Sequence, residues 1–481
     1  MLKKFTQNIV FLVILNLLIK PFWIFGIDRT IQNIVGAGQY GFYISLFNFS
    51  LIFNILTDFG LTNFNTRNIA QNQHLVNKHI SRLIWLKIFL AIIYAVISLL
   101  AALLIGYSAL QIKFLIFLIL NQVIASFLLY LRSNLSGLHL FKTDSLLSIT
   151  DKSLMIIICG ALILKHPVDF QIEWLVYAQT VAYLISTLIA FALVIKQTGF
   201  IKIRYDYYFI LSILKQTAPF ALLILLMTVY IRVDFVMLER MLPNGNFYSG
   251  IYAQAYRIVD AFSMFAYLFA ALLLPIFSKM IKDKVNLEQI VKKSATILLI
   301  PVLIIVVQVV FFSSEIMSLL YHEHAEQSFL ILDILIFGFM GIATIYIFGT
   351  LLTANGNLKQ LIIISAFGVL FNIVLNYLLI PEHNYIGAAF SSMLTQLAMA
   401  AIQIILAYKI FSFKTDSKAV FKWGLFILII LVQTYLIKST DFINWQSSFL
   451  LNISLSFLWV FVLRIIRLKQ IRMFIESLSA T

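Results

Sequence analysis

Fourteen apolar segments recur along this chain, at residues 8–27, 40–60, 83–106, 112–131, 145–164, 172–195, 217–238, 248–275, 291–312, 329–352, 360–380, 386–410, 420–437 and 446–465. Each is close to the roughly 20 residues that a helix needs to cross the ~30 Å hydrocarbon core of a bilayer. Water is absent there, so backbone N–H and C=O groups must pair within their own segment, and runs of this length pair as helices. Composition agrees: 62% of residues are hydrophobic and 11% charged, at a mean hydropathy of +0.98. A soluble domain carries about 25% charged residues. The expected fold class is all-α, a polytopic membrane protein with about 14 transmembrane helices.

The loops between the segments are asymmetric in charge. With the N-terminus placed in the cytoplasm, 25 of the 35 lysines and arginines fall on that side, 5 on the opposite side and 5 inside spans. Cytoplasmic loops carry the basic excess in membrane proteins, and a wrong span count would scramble the alternation. Both termini are therefore expected in the cytoplasm, with the chain multi-pass in the cell (inner) membrane. Basic loops facing an anionic leaflet also account for the net charge of +15, so nucleic acid is not an expected partner. Lys3 and Lys4 before the first apolar run resemble a signal peptide. No small-x-small cleavage site follows, and Lys20-Pro21-Phe22-Trp23 continues the span, which reads as an uncleaved first helix. No loop exceeds about twenty residues, too short for a soluble catalytic domain.

An internal repeat organises the spans. Gly41-Phe42-Tyr43 returns as Gly250-Ile251-Tyr252, an offset of 209, and the segments before each motif share that offset. The unit holds six spans. An even number places both copies the same way up, so the repeats are parallel and related by an axis along the membrane normal. The expected organisation is a six-helix bundle over 1–205, a second over 206–412, and two further spans with a basic tail over 413–481.

The stretch from Gly36 to Ala70 is the most informative. Tyr40 to Phe59 is long enough to span, yet it contains Ser45, Asn48, Ser50, Asn54, Thr57 and Asp58. At 100° per residue, Tyr43, Ser50, Asn54 and Thr57 fall within an arc of about 60°. Such a stripe faces protein or a water-filled cavity, not lipid. The eighth span carries its counterpart, with Tyr252, Tyr256, Asp260, Ser263 and Tyr267 within about 80°. Charges inside spans are costly and are functional candidates by default. Lys20 stands beside Pro21 with no acid close in sequence; Arg232 and Asp234 lie late in the seventh span; Arg257 and Asp260 are spaced to pair on the eighth; Asp151 and Lys152 lie in the fifth, with Asp144 one heptad before Asp151. The competing reading for the acid–base sets is structural, with ion pairs holding helices in register. The candidate substrate-binding residues are Lys20, Tyr43, Asn54, Asp58, Arg232, Asp234, Tyr252, Tyr256, Arg257 and Asp260. Cys159 is the one cysteine and excludes an intrachain disulfide. The run Tyr321-His322-Glu323-His324-Ala325-Glu326 lies in a loop with no further ligand cluster beside it and reads as solvated, not as a metal site. No Gly-rich phosphate loop or supported nucleophile arrangement occurs, so neither a cofactor nor an enzymatic role is expected.

These residues also carry a family likeness. Tyr40-Gly41-Phe42-Tyr43, Asp58-Phe59-Gly60-Leu61 and Arg67-Asn68-Ile69-Ala70 resemble the second helix of the polysaccharide-export flippases. That family belongs to the multidrug/oligosaccharidyl-lipid/polysaccharide transporter superfamily. The likeness continues through Arg132 to Leu138 with Phe141; Pro219 with Asp234, Met237 and Leu238; Gly250-Ile251-Tyr252-Ala253 with Ala255-Tyr256-Arg257; Pro275 to Ser278; Ala354-Asn355-Gly356; Asn372, Asn376 and Pro381; and Gly387-Ala388-Ala389. The resemblance implies two six-helix bundles facing each other in a V, plus two trailing helices. It implies transport of undecaprenyl-diphosphate-linked oligosaccharide from the cytoplasmic to the outer leaflet. Membrane lipids, a polysaccharide polymerase and chain-length machinery are the partners it implies. Two other classes compete. A cation-coupled multidrug exporter of the same superfamily would favour a carboxylate-dominated cavity, whereas the internal charges here are mixed. An integral-membrane glycosyltransferase or polymerase would place its catalytic residues in a long outer loop, which this chain lacks.

Overall fold

A computed structural model describes residues 15–71, 76–199, 206–414, 416–439 and 444–465. The basic residues Lys3, Lys4, Lys202, Arg204, Arg467, Lys469 and Arg472, which enter the sidedness argument, lie outside them. Every regular element among the described residues is helical. Residues 15–22 are helical and run into a π-helical turn, Trp23–Asp28. Fourteen α-helices follow: α1 (Arg29–Ile52), α2 (Ile55–Asp58), α3 (Leu61–Gln71), α4 (Val76–Ile105), α5 (Ala109–Gly137), α6 (Phe141–Lys165), α7 (Ile172–Thr198), α8 (Tyr207–Met241), α9 (Gly245–Lys282), α10 (Glu288–Leu320), α11 (Ala325–Ala354), α12 (Leu358–Phe411), α13 (Ser417–Lys438) and α14 (Trp445–Val462). The chain divides into two compact units, Met1–Gly250 and Ile251–Thr481.

The eleven helices α4 to α14 are long and apolar enough to cross a membrane. They account for twelve of the fourteen expected spans, because α12 contains two. At 54 residues it would reach about 80 Å if straight, far more than a bilayer core. It bends at Asn384, whose φ of 50° and ψ of −131° lie outside the helical region, three residues after Pro381. The chain then folds back on itself. A Cβ on Gly387 would stand 2.3 Å from the Leu379 carbonyl oxygen, so only glycine fits this return. The outward surfaces are apolar: the 80–105 part of α4 has a mean hydropathy of 3.0, with only 22% of its most apolar stretch buried. Surfaces of that kind require lipid. The protein is a multi-pass membrane protein.

The first two expected spans differ from the rest. Residue 15 onwards confirms a helix in 8–27, and the π-helical turn begins two residues after Pro21, the kind of place where helices bend. The segment 40–60 is not one helix. α1 starts well before it, changes direction at Gly36 (φ 75°, ψ 168°) and ends at Ile52. A turn at Phe53 and Asn54 leads into the single turn α2, and then Phe59 and Gly60 adopt left-handed φ values of 49° and 82°. The cause is local chemistry. The Thr57 hydroxyl donates to the Asn54 carbonyl (2.8 Å), and Asp58 accepts from the Thr62 N–H (3.3 Å) and hydroxyl (2.5 Å). Side-chain bonds of this type give the backbone alternatives to the helix ladder.

In unit 1, α5 begins with a capping box, Ser108 and Gln111 each bonding the other's backbone N–H. An apolar core forms from Leu61, Ile84, Leu128, Leu131, Leu147 and Ile213, among others, drawn from α3 to α8. In unit 2, Asp416 and Asn444 cap α13 and α14. Ile300, Ile304 and Val307 of α10 pack with Phe426 and Ile430 of α13 and Val460 of α14.

Candidate functional site

Between the first helix and α6 of unit 1 lies a cluster of charges. α6 starts with no capping side chain, yet it presents Asp144, Ser148, Asp151, Lys152, Met155 and Cys159 at helical spacing. The Asn16 amide donates to the Ser148 hydroxyl at 3.0 Å, which fixes the register of the two helices. Lys20 lies in the field of Asp151, Lys152 and Arg132. The Arg132 guanidinium bonds Asp144 at 2.8 Å and Lys152 approaches Asp151 at 3.8 Å. The Lys152 ammonium also stands over the rings of Trp23 and Tyr183, 5.6 and 5.5 Å from their centroids. Lys20, Arg132, Asp144, Asp151 and Lys152 all keep part of their surface exposed. An ionised side chain at membrane depth does not open to hydrocarbon, so this face opens to water. Lys20, without an acid nearby in sequence, has Asp151 beside it in space.

Asp28 closes the π-helical turn. It is 1% exposed and accepts the Tyr40 hydroxyl at 3.0 Å on both oxygens.

The stripe on the second span forms interhelical bonds within unit 1. The Gln179 amide of α7 donates to the Tyr43 hydroxyl at 2.6 Å, and Tyr43 is buried. Asn54 donates to Gln122 of α5 at 3.0 Å, from the turn beyond α1, so the expected single helical face does not extend that far. Asp58 pairs with Lys87 of α4 at 3.0 Å. Lys87 is 2% exposed, also donates to the Ser126 hydroxyl at 2.6 Å and stands over the Tyr130 ring. It is a deeply buried charge that sequence reasoning did not select. Asp58 and Lys87 were each visible, but nothing in the sequence joins them.

α1 and the start of α9 meet where the repeated glycines lie. A Cβ on Gly41 would fall 1.6 Å from the Asn246 carbonyl oxygen, and one on Gly250 would fall 1.9 Å from that of Ala37. The contact is backbone on backbone, the close approach that small residues allow between membrane helices. The Arg232 guanidinium of α8 donates to the Asn48 side-chain Oδ1 (3.3 Å), and Asp234 is fully buried. Near the end of α8, Gln111 donates to Glu239 (2.8 Å), while Arg240 bonds Glu239 (2.8 Å) and Gln111 (3.2 Å) and covers the Tyr107 ring at 4.6 Å.

In unit 2, α9 keeps its stripe on one helix. Tyr252 and Tyr256 are buried, with ring centroids 5.6 Å apart; Tyr267 is 59% exposed. Arg257 and Asp260 stand 3.9 Å apart at the expected i,i+3 spacing. Of the ten candidates, Lys20, Tyr43, Asn54, Asp58, Arg232 and Asp234 belong to unit 1, and Tyr252, Tyr256, Arg257 and Asp260 to unit 2.

Among the described residues every regular element is helical, and charges are held inside helices long enough to span a membrane. Solved structures with this fold include the lipid II flippase MurJ in an inward closed conformation, at a TM-score of 0.70 and 16% identity, covering 94% of this chain and 98% of that one. A multidrug resistance MATE family transporter of the MOP superfamily, inward-facing, matches at a TM-score of 0.64 and 14% identity, covering 81% and 94%. Residues 5–281 match the model of the polysaccharide biosynthesis protein family, and the chain belongs to that family. The capsular polysaccharide biosynthesis protein CapF of Staphylococcus aureus is 26% identical over 167 residues, 34% of this chain. That match spans 42% of the length of CapF.

Proposed function

We propose that the chain flips undecaprenyl-diphosphate-linked oligosaccharide units from the cytoplasmic to the outer leaflet of the cell membrane, by alternating access, for surface polysaccharide biosynthesis (O-antigen, capsule or exopolysaccharide). The observation that carries this reading is the partly exposed charged face of unit 1, where Lys20, Lys152 and Arg132 gather and Lys152 stands over Trp23 and Tyr183. A diphosphate head needs cations, sugar faces need aromatic rings and hydrogen-bonding groups, and the lipid tail stays in the bilayer. Arg257, Tyr252 and Tyr256 supply the same types of group in unit 2. The family match supports the polysaccharide class, and the fold likeness supports transport over catalysis.

The driving force in this reading is the membrane potential. A diphosphate diester carries about two negative charges. Moving them from an inside-negative cytoplasm outward gains ~4.6 kcal/mol at 100 mV. Cavity cations must then stay nearly fixed while the head moves, because a moving lysine would cancel part of the gain.

The test is reconstitution in liposomes with a lipid-linked oligosaccharide and an imposed potassium-diffusion potential. Outward flipping should accelerate when the donor side is negative and slow when the sign is reversed. Indifference to the potential would remove this driving force. In cells, Lys20→Ala and Arg257→Ala should each reduce surface polysaccharide at normal protein level, and undiminished export would sink the site assignment.

A second reading, cation-coupled export of small molecules, has Asp28 and Asp234 in its favour, carboxylates that are 1% and 0% exposed. Transport driven by a proton or sodium gradient without any lipid-linked substrate would select it.

A further inference from the structure

Unit 2 holds a cavity of about 660 Å³ that takes no part in the reading above. That volume is within the range of small-molecule sites. Its mouth is basic and its interior apolar. Lys292 and Lys293 of α10, Tyr408 of α12, Trp423 and Ile427 of α13, and Ile465 beyond α14 line it.

The walls are tied together by lysines at the mouth. The Lys292 ammonium is 2.6 Å from both the Glu288 carboxylate and the Lys414 carbonyl oxygen, which fastens the end of α12 to α10. The Lys422 ammonium donates to the Leu463 carbonyl oxygen at 3.0 Å, which fastens α13 to the end of α14. One carboxylate, Asp416, also lines the opening, but it accepts the N–H groups of Lys418 and Ala419 and is committed to capping α13. Glu288 is likewise committed to Lys292. Among the described residues no carboxylate or carbonyl takes up the Lys293 ammonium, and Lys414 and Lys418 are exposed around it. Against the two carboxylates, Glu288 and Asp416, this end of the cavity carries Lys292, Lys293, Lys414 and Lys422, so it keeps an excess of positive charge. Behind it, Trp423 and Ile427 lean on the apolar core of Ile300, Ile304 and Phe426.

A cationic rim over an apolar slot, flanked by a tryptophan and a tyrosine, matches a molecule with an anionic head and a hydrocarbon body. We propose that this cavity binds an anionic glycerophospholipid of the leaflet that the basic loops face. Its phosphate would lie at Lys293, and an acyl chain along Trp423, Ile427 and Ile465. Such a lipid would brace α13 and α14 against α10. This site is independent of the transported substrate.

Gly424 offers a clean probe. It lines the cavity, and a Cβ there meets nothing within 4 Å, so a larger side chain grows into the slot without disturbing packing. The experiment titrates phosphatidylglycerol or phosphatidylcholine into delipidated full-length protein and counts retained lipid by native mass spectrometry. Wild type should retain phosphatidylglycerol in preference to phosphatidylcholine. Lys293→Gln should weaken that retention about fivefold, the effect of one interfacial lysine. Gly424→Leu should abolish the tightest-bound lipid while leaving the thermal midpoint of the lipid-free protein unchanged. Lys359→Gln, a basic loop residue that does not line the cavity, should change nothing. Equal retention of the two lipids, or phosphatidylglycerol retention untouched by both Lys293→Gln and Gly424→Leu, would overturn the proposal. So would a dimer that Gly424→Leu dissociates, because the occupant would then be a second copy of this chain.

Discussion

In unit 1 the deep polar contacts include ion pairs alongside neutral bonds such as Gln179 with Tyr43 and Asn16 with Ser148. Asp58 meets Lys87 at 3.0 Å, Arg132 meets Asp144 at 2.8 Å, and Lys152 meets Asp151 at 3.8 Å with Lys20 close by. In unit 2 they are mostly neutral. Gln308 donates to Thr434 at 3.0 Å, Asn376 to Asn372 at 3.0 Å, and Trp459 to Gln433 at 2.9 Å. Unit 2 has the Arg257–Asp260 pair on α9, and its other ion pair between helices, Lys438 with Glu315 (2.9 Å), joins the end of α13 to the last turns of α10. A charge at the centre of a membrane helix costs roughly 2.5–3.5 kcal/mol to insert, while neutral interhelical bonds average about 0.6 kcal/mol in favour. Neutral amides are therefore enough to hold helices together, as unit 2 shows. The ionic character of unit 1 is more than packing requires, and that excess is what the proposed transport of an anionic head uses.

Four experiments test this contrast, ordered by expected loss of stability. Asp58→Ala should be worst, because it leaves Lys87 buried without its counter-charge. About 3 kcal/mol should be lost, read as a fall in the thermal midpoint in detergent, with most of it recovered by adding Lys87→Met. An Asp58→Ala protein as stable as wild type would break the contrast outright. Gly41→Ala should cost about 1–3 kcal/mol, since its methyl group must displace the Asn246 backbone. If Gly41→Ala is silent, the backbones of α1 and the start of α9 are not in the contact described. Gln308→Leu in unit 2 should cost only about 0.6–1.7 kcal/mol. A loss as large as that of Asp58→Ala would show that neutral and ionic contacts are equivalent in this protein. Lys20→Ala should change stability by less than ~0.5 kcal/mol, because it removes attraction to Asp151 and repulsion from Lys152 and Arg132 together. Export of surface polysaccharide should nonetheless fall at least tenfold in cells carrying it. Lower protein level with export per molecule unchanged would make Lys20 structural.

How much of this was legible beforehand depended on the range of the interaction. The pairing of Arg257 with Asp260 was readable because both lie on one helix at i,i+3. Lys87 was visible only as a charge in a span, since its partner comes from a different helix. Asp144 carries no sign that its partner would be Arg132 of the preceding helix instead of a neighbour on its own. The polar stripe on the second span was read as one face of a continuous helix. Asn54, Thr57 and Asp58, the residues that suggested the stripe, are those whose side-chain bonds end the helix.

The sequence by itself determined the class of molecule, the number and place of nearly all the spans, and the asymmetry of the basic loops. Those follow from a requirement that acts on each segment separately: about 20 apolar residues satisfy their own backbone in lipid, wherever the rest of the chain lies. The tertiary structure decided which charges meet and where backbones touch. The backbone contact at Gly41 and the burial of Lys87 each depend on groups brought from distant parts of the chain. No local pattern encodes them, because the free energy of each belongs to the pair and not to either segment.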